Sequence, residues 1–526
     1  MMEVDTTNVD ALFAEWDRAD SPGCALGVIR GGELVYARGY GMANLDLGVP
    51  LSPHSVLHVA SVSKEFTAVA TGILDRQGKL SLDDDIRKYV PEMPDLDHTV
   101  TLRQLIHHTS GLRDQYGLFR LAGWRDEDVQ TFDDVLDFAY RHRRLNFEPG
   151  AEYAYCNTSY TLLALTVERV SGQTYRDFVR EQIFEPLSMT QSHFHDDVTE
   201  IVPNRASAYE KKDDGGFKVE DSNVSAVGAI CLYTSVEDLA RWVRNFRTRE
   251  VAGDVLDEAF TAGSLNDGSS QNYGFGLQIG EYRGQRTVSH GGVDSGYRAE
   301  LLWFPEVDFG VVVLANLSQF KPGWMARKVA DLYLGDRLSA SELLDSPAIE
   351  LPEADLAALT GLYRDERRSL TRHVELRDGK LGVTIFEEFL ELVPFGNGRF
   401  RLGRPPAEIQ IQPNDDGTLE YREILAGGKR HTYVRVEPAL PDIETLASYA
   451  GSYYCPELDA RYTLFVRDGK LFRRLRKAKD RELTPTVADA FSAGSIDMVF
   501  LHDGRGDVSG FEIFTERIRY LRFDRV

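Results

Sequence analysis

The spacing of apolar positions changes twice along the chain. Apolar runs at Ala25 to Ile29 and Leu34 to Ala37 flank Gly31-Gly32, which predicts a β-hairpin after an amphipathic helix near Val9 to Trp16. Helical spacing then takes over in Phe66, Val69, Ala70, Ile73 and Leu74, and again in Thr158 to Val170 and Ser235 to Phe246. From about Gly274 the period shortens. Phe275 to Ile279, Arg286 to Ser289, Tyr297 to Trp303 and Gly310 to Leu317 predict successive antiparallel strands. First and last strands thus bracket a helical middle. An α+β domain, an antiparallel sheet with a helical subdomain, is expected over residues 1–340.

Beyond it the chain repeats itself. Leu356-Ala357, Gly361, Tyr363 and Arg377-Asp378-Gly379-Lys380-Leu381 recur 90 positions later as Leu446-Ala447, Gly451, Tyr453 and Arg467-Asp468-Gly469-Lys470-Leu471. Each copy has short strands, Asp-Gly turns and no helix beyond its first few residues. Two tandem antiparallel β-barrel or sandwich domains are expected, residues 341–438 and 439–526, with joints at Asp345 to Pro352 and Glu437 to Pro441.

A chain of 526 residues exceeds what one core supports, which agrees with several domains. The net charge of −23, with clusters such as Asp83-Asp84-Asp85, opposes nucleic acid and anionic membranes. Cys24, Cys156, Cys231 and Cys455 form no C-x-x-C, so neither a disulfide framework nor a structural zinc is expected. Met1-Met2-Glu3-Val4-Asp5 has neither the basic start nor the apolar core of a signal peptide, and no apolar run would span a bilayer. The cytoplasm is the expected location.

Chemistry enters at Ser61-Val62-Ser63-Lys64, which opens the first helical run. One helical turn puts hydroxyl and amine on the same face, where a partly desolvated lysine can take the serine proton. The pair alone is weak, since Ser-x-x-Lys arises by chance about once or twice in a chain this long. Ser318-Gln319-Phe320-Lys321 is a second instance, but it follows a strand-like run and meets Pro322. Tyr155-Cys156-Asn157, 94 residues after Ser61, supplies a candidate relay. A phenol beside an ammonium is favoured as phenolate, and an amide can orient both lysine and substrate. Ser264-Leu265-Asn266 is a rival in a polar loop. Ser289-His290-Gly291-Gly292-Val293 falls where a late strand is expected to end, with glycines that admit substrate backbone. The backbone N–H groups of Ser61 and Val293 are the expected oxyanion donors. His193-Phe194-His195-Asp196-Asp197 could begin a metal site, but no further histidine-rich segment completes it, and no metal or cofactor is expected. His107-His108 reads as helix end and packing.

Ser-x-x-Lys, Tyr-x-Asn and His-x-Gly in this order resemble the penicillin-recognising serine hydrolases: class C β-lactamases, D-Ala-D-Ala carboxypeptidases and their esterase and aminopeptidase relatives. Leu105 to Leu112, Phe147-Glu148-Pro149-Gly150, Gly228-Ala229-Ile230 and Tyr273 to Leu277 are similar to supporting segments of that superfamily. Within it, Gly111 to Asp114, Glu457 to Ala460 and the tandem repeat resemble the three-domain D-aminopeptidases. The stretch Ala490 to Met498 is shorter than the barrel loop that restricts their active site. The resemblance implies a β-lactamase-like catalytic domain and an acyl-enzyme on Ser61. It casts Lys64, Tyr155 and His290 as catalytic, and Asn157, Gly292 and Val293 as substrate-binding. It implies hydrolysis of amides or small peptides and leaves room for a homodimer. His290 replaces a lysine common in the superfamily, which weakens selection for a substrate carboxylate. A carboxylesterase, a weak β-lactamase or DD-peptidase, and a non-catalytic binding homologue are the rival readings.

Overall fold

The computed structural model describes residues 6–125, 127–385, 388–404, 406–424, 430–476 and 478–526. Met1 to Asp5 lies outside them. Two compact units emerge. The first comprises residues 1–111, 126–140 and 148–339, and the second residues 112–125, 141–147 and 340–526.

The first unit is built on a six-stranded antiparallel sheet. Its spatial order is Gln278–Tyr282, Gln285–Asp294, Tyr297–Phe304, Phe309–Ala315, Cys24–Arg30 and Glu33–Tyr40. The expected N-terminal hairpin therefore joins the late strands through Cys24–Arg30, which pairs with Phe309–Ala315. Both of these central strands are buried on successive residues, so both sheet faces are covered. On the helical side, Ser63–Arg76 is buried almost all round, and Phe66 stacks on Trp242 at 4.5 Å. The buried polar groups of this helix find partners: Thr67 donates to Gly228 O at 2.7 Å, and Glu65 accepts from Trp242 Nε1 at 2.8 Å. The first helix spans Thr6–Phe13, earlier than its apolar spacing suggests.

Two strand boundaries differ from expectation. The run Phe275 to Ile279 is mostly a turn: Gly276 has φ +69°, and a Cβ there would come within 2.5 Å of the Lys64 and Glu65 backbone. The strand begins only at Gln278. Conversely, the strand expected to end near Ser289 continues to Asp294. Its partner Gln278–Tyr282 reaches only Ser289. Residues 290–294 thus keep one sheet edge open among the described strands, beside the turn that carries Ser61.

The second unit holds two closed eight-stranded antiparallel barrels, with strands from Gly361 to Val436 and from Gly451 to Arg525. The repeat has a physical basis. In each copy a short helix precedes the barrel, and a buried tyrosine hydroxyl caps it: Tyr363 donates to Leu359 O at 2.6 Å and Tyr453 to Tyr449 O at 2.7 Å. Gly361 (φ +145°) and Gly451 (φ +154°) pack against Arg435 and Arg525, again 90 residues apart. Asp378-Gly379 and Asp468-Gly469 are tight hairpin turns with both residues at positive φ (51° and 74°, then 52° and 73°). Ala490 to Met498 is itself a hairpin closed between Ala493 and Ile496. All four cysteines are buried, and none of them is in a disulfide. Among the described residues no helix is long and apolar enough to cross a membrane.

Candidate active site

Ser61 sits on a single 3₁₀ turn, Ala60–Val62, between the short strand Leu57–His58 and the helix Ser63–Arg76. The turn is tight enough to hold Ala60 at φ +47°, a conformation that costs a non-glycine residue about 1 kcal/mol or more. Ser63 secures it, donating to Ala60 O at 2.6 Å and accepting from Leu232 N at 3.0 Å. The inner serine of the motif is therefore structural.

Lys64 is fully buried, and three acceptors surround its Nζ: Ala229 O at 2.7 Å, Asn157 Oδ1 at 2.8 Å and Ser61 Oγ at 3.1 Å. The geometry is asymmetric in a useful way. A carbonyl and an amide oxygen can only accept, so they fix two N–H groups and aim the third tetrahedral position at Ser61. As an ammonium, Nζ donates to Oγ there. As an amine, it presents its lone pair to the hydroxyl proton.

Tyr155 stands over the same nitrogen, with Nζ 4.9 Å from its ring centroid. His108 packs on Tyr155 at 4.3 Å and accepts from Cys156 N through Nδ1 at 3.1 Å. Ala154 N bonds to His108 O (3.0 Å) and Gly150 N to Thr109 O (2.8 Å). The Leu105 to Leu112 segment is thus the bed on which Tyr155-Cys156-Asn157 lies. His108 packs as expected, but against the relay itself.

His290 is buried, and both ring nitrogens are engaged. A carbonyl accepts only, so Nδ1–H donates to Gly291 O at 2.7 Å; Nε2 then accepts from the Tyr273 hydroxyl at 3.0 Å. Burial first, and the Lys64 charge second, push the His290 pKa down to about 3. Burial among other tyrosines raises the Tyr273 phenol well above its ordinary value. His290 is therefore a neutral imidazole, and Tyr273 is a site residue that the motif reading had placed only in a supporting segment. Gly292 has no room for a side chain, since a Cβ would lie 2.1 Å from Val59 O. That contact brings residues 290–294 against the nucleophile turn. The Val293 side chain is 68% exposed at this edge. Ser318 and Lys321 stay apart from any helical pairing, Lys321 being the residue before the helix Pro322–Leu334. Asn266 is tied to a loop by Pro149 O at 3.0 Å.

Two buried neutral histidines make the fold acid-sensitive. His58, like His290, is pushed down to about 3, by burial first and by His195 second. A folded pKa below the unfolded value of about 6.5 means that the unfolded chain binds extra protons between those limits. Their contribution is complete above pH 6.5 and is lost as pH falls toward 3. Urea unfolding from pH 6.5 to 4.5 should show that His290→Gln is less acid-sensitive than the wild type, by up to about 1.4 kcal/mol per pH unit. An unchanged slope in the variant would mean that His290 titrates normally.

A protein-family model described as Beta-lactamase matches residues 9–335. D-aminopeptidase of Gluconobacter oxydans is 26% identical over 530 residues, covering 97% of each chain. D-aminopeptidase of Brucella anthropi is 25% identical over 554 residues and covers all of both. Among solved structures, the octameric penicillin-binding protein homologue from Pyrococcus abyssi superposes with a TM-score of 0.58 at 23% identity, over 90% of this chain and 99% of that one. With the Ser-x-x-Lys helix, the Tyr-x-Asn segment and the His-Gly-Gly strand converging as described, the chain belongs to the β-lactamase family.

Proposed function

We propose that the chain is a serine hydrolase that cleaves amide or peptide bonds through an acyl-enzyme, releasing N-terminal residues in the manner of a D-aminopeptidase. The observation that carries the reading is Lys64 Nζ, held by Asn157 Oδ1 and Ala229 O within hydrogen-bond distance of Ser61 Oγ. In acylation Ser61 Oγ attacks the carbonyl carbon, and its proton passes to Lys64 or Tyr155 and then to the departing amine. In deacylation the same groups take a proton from water, which attacks the ester and regenerates the serine. The backbone N–H groups of Ser61 and Val293 carry the oxyanion, and the open edge of residues 290–294 binds substrate backbone. His290 and Tyr273 shape this edge as neutral groups, so a substrate carboxylate gains no cation from His290. The full-length similarity to D-aminopeptidases supports a substrate with a free amine. We also place the domain boundaries near residues 340 and 438, between the sheet unit and the first barrel and between the barrels.

Purified full-length chain assayed with D- and L-alanine p-nitroanilide, p-nitrophenyl butyrate and a chromogenic cephalosporin tests the reading. D-alanine p-nitroanilide is expected to have the highest kcat/KM, with its L-isomer and the cephalosporin at least about tenfold lower. Ester cleavage without amide cleavage would make the protein a carboxylesterase, and absence of any acyl-enzyme by mass spectrometry would leave only a binding role.

A further inference from the structure

We propose that His193, His195 and Glu200 form a binding site for a transition-metal dication of the Zn²⁺ type, separate from the site around Ser61. The sequence run His193-Phe194-His195 lacked a third histidine, and the third donor is instead a carboxylate. The His193 and His195 rings both pack on Tyr233, while Phe194, between them in sequence, is buried against Tyr175 and Phe184. The strand is fixed by pairing of His193 with Tyr233, and by His195 N bonding to Cys231 O at 2.8 Å. The chain then turns back. Asp197 accepts from Thr199 N (2.8 Å) and Thr199 Oγ1 (2.6 Å), and Glu200 N closes on Asp197 O at 3.0 Å. That turn returns the Glu200 carboxylate to the two imidazoles.

The spacing suits a small tetrahedral ion. His193 Nε2 and His195 Nδ1 are 3.4 Å apart, and His195 Nδ1 and Glu200 Oε2 are 3.7 Å apart. All three donors lie within 4.8 Å of one another. Ligand atoms at zinc bond lengths of about 2.0–2.1 Å sit about 3.3 Å apart in a tetrahedron. Two of the three edges are therefore near their final length. Two histidines and one carboxylate, with a fourth position for water, form a recurrent zinc donor set.

Arg176 is the obvious competitor, yet it holds the carboxylate without exhausting it. It donates to Glu200 Oε2 at 2.6 Å, to Oε1 at 2.8 Å and to Asp196 Oδ1 at 3.1 Å. Each carboxylate oxygen accepts two bonds, so Oε2 keeps a lone pair for an ion while Arg176 fixes its orientation, as outer-shell donors do. Glu200 and Asp196 face Arg176 and Arg205, so the local charge is balanced and the donor geometry, not net charge, is what favours a dication. His193 is only partly buried, so an ion has a route in.

Metal-free full-length chain titrated with Co²⁺ is expected to take up one equivalent, with the intense visible absorption of a tetrahedral centre that Zn²⁺ then abolishes. Glu200→Gln keeps an oxygen for Arg176 but removes the anion, and His193→Ala removes a donor. Each should weaken Zn²⁺ binding by tenfold or more in calorimetry. Circular dichroism checks that the variants fold; if one does not, the other and the wild-type spectrum decide. A wild-type Co²⁺ spectrum without tetrahedral bands, or affinity unaltered in a folded variant, overturns the proposal.

Discussion

Ser61→Ala lowers amide turnover by about 10⁵-fold and removes the mass increment of the acylated chain, with substrate binding largely kept. The expectation follows from the unit that the serine belongs to. Its hydroxyl accepts from Lys64 Nζ at 3.1 Å, beside two acceptors, Asn157 Oδ1 and Ala229 O, that cannot themselves react. Lys64→Ala should cost a comparable factor, and the double variant no more than either single one, because parts of one catalytic unit are not additive. Lys64→Arg should not rescue: a guanidinium keeps its protons at any working pH and has no lone pair to offer Oγ. Asn157→Ala leaves nucleophile and base in place but frees the nitrogen to rotate, and a loss of about 10² in kcat fits misplacement of that order. Steady-state kinetics together with fluorophosphonate labelling read all five. Amide turnover surviving in Ser61→Ala would remove the acyl-enzyme altogether.

What could be read beforehand was local. The Ser-x-x-Lys helix is legible because a period of 3.6 puts residues three apart on one face, and the barrels because Asp-Gly turns and a 90-residue repeat need no tertiary information. Long-range partners left weaker traces. Nothing near Tyr273 announces that its hydroxyl will meet His290 Nε2, and Ala229 contributes a main-chain oxygen that no side-chain motif encodes. The strand run beginning at Phe275 failed for a related reason. Its Gly276 serves close packing on the helix of Lys64, which outweighs the strand-like apolar spacing. His108 carried a signal that could have been used: two of its atoms bond to the backbone around Tyr155, so its segment and the Tyr-x-Asn segment are one structural piece.

Arg113 and Glu457, from the two short segments that carried the likeness to three-domain D-aminopeptidases, meet within the second unit, and Arg113→Ala should be its most destabilising substitution. The Arg113 side chain is 0% exposed and that of Glu457 8%. The guanidinium donates to the Glu457 carboxylate, to Arg519 O at 3.1 and 3.2 Å and to Tyr520 O at 3.1 Å, while Glu457 also accepts from Arg143 N at 3.1 Å. Burial works against both charges, lowering the Arg113 pKa and raising that of Glu457. Each is tolerated through the other. Alanine at 113 removes the counter-charge of a buried carboxylate and strips donors from two carbonyl groups, a change that costs about 3–5 kcal/mol. Desolvation is the larger force, so the pair adds little beyond what well-packed apolar groups would give. Arg113→Met combined with Glu457→Leu should therefore recover most of the loss, whereas Glu457→Leu alone strands the arginine and should not. Urea unfolding of the four chains, followed by tyrosine and tryptophan fluorescence, measures the coupling. A loss under about 1 kcal/mol in Arg113→Ala would show that water reaches Glu457 and that the pair is not sealed.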